Sequence, residues 1–226
     1  MAKMDDVPQY ECDLYVEDIR AERMLVEIMV AHSVNQDSIL RCRTIRYGTA
    51  SVGQALGLMA HQDRFPRPSF VFLDGDQGPS VGCLSLPGED APERVVFEAL
   101  RAQNWLQIHS RIKREFPDVT DACTQAMSLP DHHEWIKYAA NKLVIGSDTL
   151  WQVMCSEWAT SCFAQDDAKT ILQPIEDALN KVLATFPSPP VGVIGNMERI
   201  PARSKPKIDA SEQRPLFEQS QSDAAE

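Results

Sequence analysis

The sequence has no pair of cysteines spaced CxxC. Cys12, Cys42, Cys83, Cys123, Cys155 and Cys162 are scattered, whereas a zinc ribbon draws its ligands from close pairs. It has no apolar run of the roughly 18 residues that a membrane-spanning helix needs. The opening stretch MAKMDDVPQYECD is polar and lacks the apolar region of a secretory signal. These absences together predict a cytoplasmic protein with reduced, mostly buried thiols. A GxxxxGK[ST] loop is missing, so the chain is not expected to bind ATP by itself. No internal repeat is present. Basic residues are in deficit: 22 Lys and Arg stand against 33 Asp and Glu, a formal net charge of −11. Such a surface repels phosphate and excludes a free-standing nucleic-acid coat. It does not exclude a nuclease, because metal ions can bring phosphate to carboxylates.

What is present suffices for one sizeable domain or a domain with an appendage: 226 residues, 43% of them hydrophobic. The first part alternates in type. CDLYVED (12–18) reads as a short buried strand, and RAERMLVEIMVAHS (20–33) places Met24, Ile28 and Ala31 on one helical face. SILRCRTIRYG (38–48) alternates as a strand. SVGQALGLMAHQDR (51–64) reads as a helix with Ser51 as its N-cap. PSFVFLDGDQ (68–77) is apolar without alternation, as a central strand covered on both faces would be. VGCLSLPG (81–88) is a fourth strand, and APERVVFEALRAQNW (91–105) a helix with Pro92 in its first turn. This order predicts an α/β fold with a mostly parallel open sheet flanked by helices. Residues 106–186 read as an all-helical extension, with Trp135, Trp151 and Trp158 as core anchors. The proline-rich tail, 187–226, has few core-forming residues and reads as disordered or as a docking strap. The division is therefore 1–105, 106–186 and 187–226.

Open α/β sheets gather ligands at the carboxyl ends of their strands. Glu17 follows LYV, and Asp74 and Asp76 follow FVFL. An Asp-x-Asp pair can aim two carboxylates at one hard cation such as Mg²⁺, with Gly75 allowing the tight turn between them. Asp-Gly is also ordinary turn chemistry, so the pair gains meaning only from its place at a strand end.

LYVEDIRAERML, FVFLDGDQ and CLSLPGEDAPERVVFEAL, taken in that order, resemble the Toprim domain, particularly that of the overcoming-lysogenization-defect family of nucleases. The resemblance covers about residues 12–105, and DHHEWIKYAANKL looks like that family's C-terminal helices. It implies Mg²⁺ or Mn²⁺, held by Glu17, Asp74 and Asp76, and cleavage of DNA or RNA. For a second ion it implies an acid from Glu89, Asp90 and Glu93, and Glu93 is the preferred candidate; the helix dipole alone also favours an acid there. Asp18, beside Glu17, is expected either to support the metal ligands from behind or to cap the helix that follows. Two departures stand out. The family's ATPase domain has no counterpart here, and its catalytic lysine has no clear one; Lys137 and Lys142 are candidates, and surface lysines are common. The first departure points to a split system, in which this chain is the nuclease subunit of a separate ATPase, as in anti-phage defence modules.

Other features carry two readings each. Asp131, His132 and His133 in DHHEW offer ligands, but adjacent helical side chains diverge by about 100°, and Asp131 fits an N-cap. Arg41, Arg43 and Arg46 could touch a nucleic-acid backbone or keep an edge strand soluble. Gln213, Leu216 and Phe217 match a sliding-clamp-binding pattern; docking on the ATPase or on the chain's own body is the other reading. The rival to a nuclease is a non-catalytic Toprim-like scaffold that regulates an assembly. A receiver-like phosphotransferase would need a lysine after a later strand, and none is convincing.

Overall fold

The strands form because their apolar residues can be covered on both sides. In β1 (Cys12–Val16), Cys12, Leu14 and Val16 point to one face and are fully buried. The opposite face carries Asp13 and Tyr15. The chain continues through α1 (Ile19–His32), α2 (Ser38–Arg41), β2 (Cys42–Arg46), α3 (Ala50–His61), β3 (Ser69–Leu73), β4 (Cys83–Ser85) and α4 (Pro92–Ala102). Five more helices follow: α5 (Ile108–Arg111), α6 (Phe116–Ala126), α7 (Trp135–Leu143), α8 (Ser147–Ser161) and α9 (Gln165–Thr185), with a 3₁₀ turn at His132–Glu134 before α7. This computed structural model describes residues 10–185. The tail assigned to 187–226, with Gln213, Leu216 and Phe217, lies outside the described residues.

The architecture is α/β, and every strand pair among the described residues is parallel, in the order β2-β1-β3-β4. Leu14 lies opposite Thr44 on one side and Phe70 on the other, and Val71 opposite Cys83. From β1 the chain steps to one side to make β2, then returns past β1 to make β3. The order therefore reverses between β1 and β3, and a crevice opens beyond their carboxyl ends. The link from β3 to β4 contains no helix, although parallel neighbours usually need a long crossover. It works because β3 and β4 pair over only Val71–Leu73 and Cys83–Ser85, so residues 74–82 travel back only about 10 Å.

One face of the sheet packs on α1, and α4 and α8 pack on α1 and on each other. Leu14, Phe72, Met24, Phe97, Trp105, Trp151 and Trp158 thus share one core. The helices after residue 106 belong to the same core as the sheet. The tryptophans are anchors as expected: Trp135, Trp151 and Trp158 are buried, Trp151 Nε1 donates to the Arg20 carbonyl at 3.2 Å, and Trp135 Nε1 to that of Leu129 at 2.9 Å. The other face of the sheet is covered by α3, which presents its two buried residues, Gly53 and Gly57. A Cβ on Gly57 would collide with Cys83 Sγ, so a larger residue would push the helix off β4. All six cysteines are free, and Cys12, Cys42, Cys123 and Cys155 are buried. Among the described residues, no helix is long and apolar enough to cross a membrane.

Three local expectations need correction. Residues 38–41 form α2 rather than the start of a strand; over four residues an alternating pattern and a single helical turn look alike, and here Ile39 packs on the core from that turn. Ser51 is not the N-cap of α3; Thr49 holds that position without a side-chain bond. The helix expected over 91–105 ends at Ala102, and only Ile108–Arg111 of 106–115 is helical. Asn104, Trp105 and Leu106 turn through positive φ (55°, 60° and 42°), and Trp105 is thereby buried edge-on against Phe97 at 5.9 Å.

The basic segment lies on the edge strand and just before it, and each arginine has an acidic partner. Arg41 grips Glu11 through two bonds of 3.0 and 2.6 Å, and Arg46 Nε lies 3.4 Å from Glu22. Arg43 grips buried Asp13 at 3.0 Å through both Nε and Nη2, and Arg67 Nε lies 3.6 Å from the same carboxylate. The Arg43→Ala/Arg67→Ala double variant leaves Asp13 buried and unpaired. It should be clearly less stable than wild type. Asp13→Ala should lose less, since Arg43 and Arg67 are 45% and 36% exposed and can turn to water. Urea denaturation of the two variants checks the order.

Candidate active site

Glu17 is the first residue beyond β1, and its backbone carbonyl takes the Gly48 N–H at 2.9 Å. Its carboxylate accepts a hydrogen bond from the Ala50 N–H, at the first turn of α3. This explains why Thr49 caps nothing with its side chain: the helix start is met by an acid from a neighbouring strand end. Desolvation, then the charges of Asp18 and Asp76, raise the Glu17 carboxyl above its usual range, while the Ala50 bond and His133 oppose them. Asp18 itself is engaged as the N-cap of α1, accepting from Arg20 N at 2.7 Å and Ala21 N at 2.9 Å.

Asp74 and Asp76 begin the β3–β4 link. Gly75 between them touches the 88–90 loop so closely that a Cβ would strike the Gly88 carbonyl and lie 2.8 Å from that of Asp90. Glycine is required here for close approach, and that approach pins the turn that carries both acids. Asp76 is exposed and receives Gln77 Nε2 at 3.0 Å. Asp74 is half-buried, and its Oδ1 is shut from solvent without a hydrogen-bond partner. Burial first, then the charges of Glu17, Asp18, Asp76 and Glu93, push the Asp74 carboxyl to about 7. Glu17, Asp76 and Glu93 thus lie near enough to act on the charge of Asp74 beyond the carboxyl ends of β1 and β3; among the described residues, Glu17, Asp74 and Asp76 do not bring their ligand atoms within 4.8 Å of one another as a group. Glu89 is exposed on the rim, and Asp90 is engaged by Ala91 N–H (2.8 Å) and Arg94 (3.6 Å).

Tyr47 closes the side of the crevice. Its hydroxyl donates to the Phe72 carbonyl at 2.8 Å, and burial together with the charges of Glu17 and Asp74 raises its phenol. The two candidate lysines are both exposed: Lys137 pairs with Glu134 at 3.2 Å, and Lys142 lies over the Tyr138 ring at 5.8 Å.

Glu93 stands in the first turn of α4 yet is only 3% exposed, with His133 Nδ1 3.5 Å from its Oε1. Among the described residues, Glu93, His132 and His133 are a group whose ligand atoms all lie within 4.8 Å of one another and which could hold a metal ion. The expectation that adjacent histidines diverge is overturned. They occupy a 3₁₀ turn capped by Asp131, which accepts from His133 N at 3.0 Å, and their ring centroids are 4.0 Å apart. Spacing within DHHEW gives no sign of Glu93, which reaches the turn only because α4 packs beside it. Compared with family models, curated proteins and solved structures, the chain matches none.

The crowding of acids has a consequence for pH. Asp74 binds its proton more tightly folded, near 7, than in the unfolded chain, near the ordinary 3.8. Between those values the folded state keeps a proton that the unfolded state releases, so metal-free stability falls as pH rises through about 7. Asp74→Asn removes that repulsion. Thermal melts in EDTA should show the variant about 3–8 °C above wild type at pH 8, with the gap shrinking as pH falls below about 7 and closing only near the ordinary carboxyl value of 3.8.

Proposed function

We propose that this chain is a divalent-metal-dependent nuclease of the Toprim type, hydrolysing phosphodiester bonds in DNA or RNA. The observation that carries the reading is that Glu17, Asp76 and Glu93 act on the charge of a half-buried Asp74 at the strand-order reversal of a parallel sheet. Strand-end crevices of this kind are where such sheets bind ligands. The donor set suits Mg²⁺ or Mn²⁺: the groups are carboxylates, they repel one another, and Asp74 Oδ1 is buried without a partner. Glu17, Asp74 and Asp76 would hold the ion, with Glu93 assisting a second. Such an ion supplies charge to the phosphodiester and acidifies a water.

The chain's own residues keep this arrangement in place. The Ala50 N–H orients Glu17, the 88–90 loop holds the Gly75 turn, and exposed Asp76 leaves the crevice open to a long substrate. The acidic chain supplies little basic surface for a nucleic acid. A separate ATPase subunit would supply it, and defence against phage is the setting that the family resemblance supports. A sliding clamp is a weaker partner reading, through Gln213, Leu216 and Phe217. The rival, a non-catalytic scaffold, is favoured by one observation: Lys137 and Lys142 are both engaged elsewhere.

The test is cleavage of plasmid DNA and of a tRNA pool with Mn²⁺, with and without any ATPase that co-purifies. Asp74→Ala should reduce the rate by more than the 10–100-fold typical of losing a metal's outer-shell partner. Mn²⁺ should also raise the melting temperature of wild type and not of the variant. No cleavage in any mixture, with no Mn²⁺-dependent stabilisation, would favour the scaffold.

A further inference from the structure

We infer that Glu93, His132 and His133 form a binding site for a borderline divalent transition ion such as zinc, beside the acidic cluster and distinct from it in chemistry. The acids at the ends of β1 and β3 offer oxygen alone, which suits magnesium and manganese. This trio offers two imidazoles and one carboxylate, a set that favours zinc and its neighbours over magnesium. The inference extends the proposed function, in which Glu93 has only an assisting part.

The geometry is close to that of a bound site. Two ligands about 2.0–2.1 Å from one tetrahedral ion stand about 3.3–3.4 Å apart. His133 Nδ1 and Glu93 Oε1 are 3.5 Å apart, and all three ligand atoms fall within 4.8 Å. The parts are also held. Glu93 is fixed on α4 and 97% buried by its 3% exposure, and Asp131 caps the turn that carries the histidines. His132 rests edge-on against Trp135 at 6.4 Å. His133, 66% exposed, is the side from which an ion can enter.

A simple ion pair between His133 and Glu93 explains part of this arrangement. It leaves His132 unexplained: the Nε2 of that ring is shut from solvent and has no hydrogen-bond partner. A buried polar group in that condition is costly, and a site that recruits both rings accounts for the second histidine being here. The trio adjoins the acids, since His133 acts on the charge of Glu17, and Glu93 on that of Asp74.

The experiment is equilibrium dialysis of the full chain against Zn²⁺ in a large excess of Mg²⁺, followed by Co²⁺ absorption spectroscopy. Wild type should retain about one zinc. His133→Ala, whose exposed side chain can be removed without disturbing the fold, and Glu93→Gln should each weaken uptake at least about tenfold. Glu89→Gln, exposed and outside the trio, should not change it. Cobalt should give visible bands without the intense near-ultraviolet band of thiolate ligation. Equal uptake by wild type and His133→Ala, displacement of the zinc by magnesium, or a thiolate band from the free cysteines would each overturn the inference. None of these readouts depends on cleavage, so the site can fail while the nuclease stands, and the reverse.

Discussion

The constraint on which the rest of the site depends is mutual repulsion among carboxylates that the fold does not let apart. Glu17 follows β1 and Asp74 follows β3, so pairing these adjacent parallel strands brings both acids to the same edge of the sheet. Asp76 follows because Gly75 is pressed against the 88–90 loop. Glu93 follows because that loop feeds directly into α4. Each constraint comes from backbone packing and hydrogen bonding rather than from any attraction between the acids. Such a cluster holds its proton on Asp74 up to about neutral pH.

The core that enforces this lies on the far side of the sheet from α3. Helices α1, α4 and α8 join the sheet and the later helices into one apolar body, with Trp105, Trp151 and Phe97 among its largest members. The later helices therefore do more than extend the chain. Their 3₁₀ turn delivers His132 and His133 to the crevice, so the site draws on both halves of the described chain.

Much of this was legible in the residues. The unalternating SFVFL marked a strand covered on both faces, and Glu17, Asp74 and Asp76 could be placed at strand ends before any coordinates, because apolar runs stop at them. Asp18 and Asp131 were legible as caps from their position before helices. The histidine pair was not legible, since its meaning depends on Glu93, some forty positions away, and on a turn that is not regular helix. Nor was the early end of α4, because the left-handed turn at 104–106 is forced by burying Trp105, a tertiary demand that local periodicity does not register. Ser51 was misplaced for a similar reason: the acid that meets the start of α3 comes from another strand.

The proposed nuclease requires that the strand-end acids hold a divalent ion at the reversal between β1 and β3. Anomalous diffraction from crystals grown with Mn²⁺ tests it most directly. A manganese peak is expected within coordination distance of Glu17, Asp74 and Asp76. A map with no peak there, at saturating Mn²⁺ and neutral pH, would contradict it.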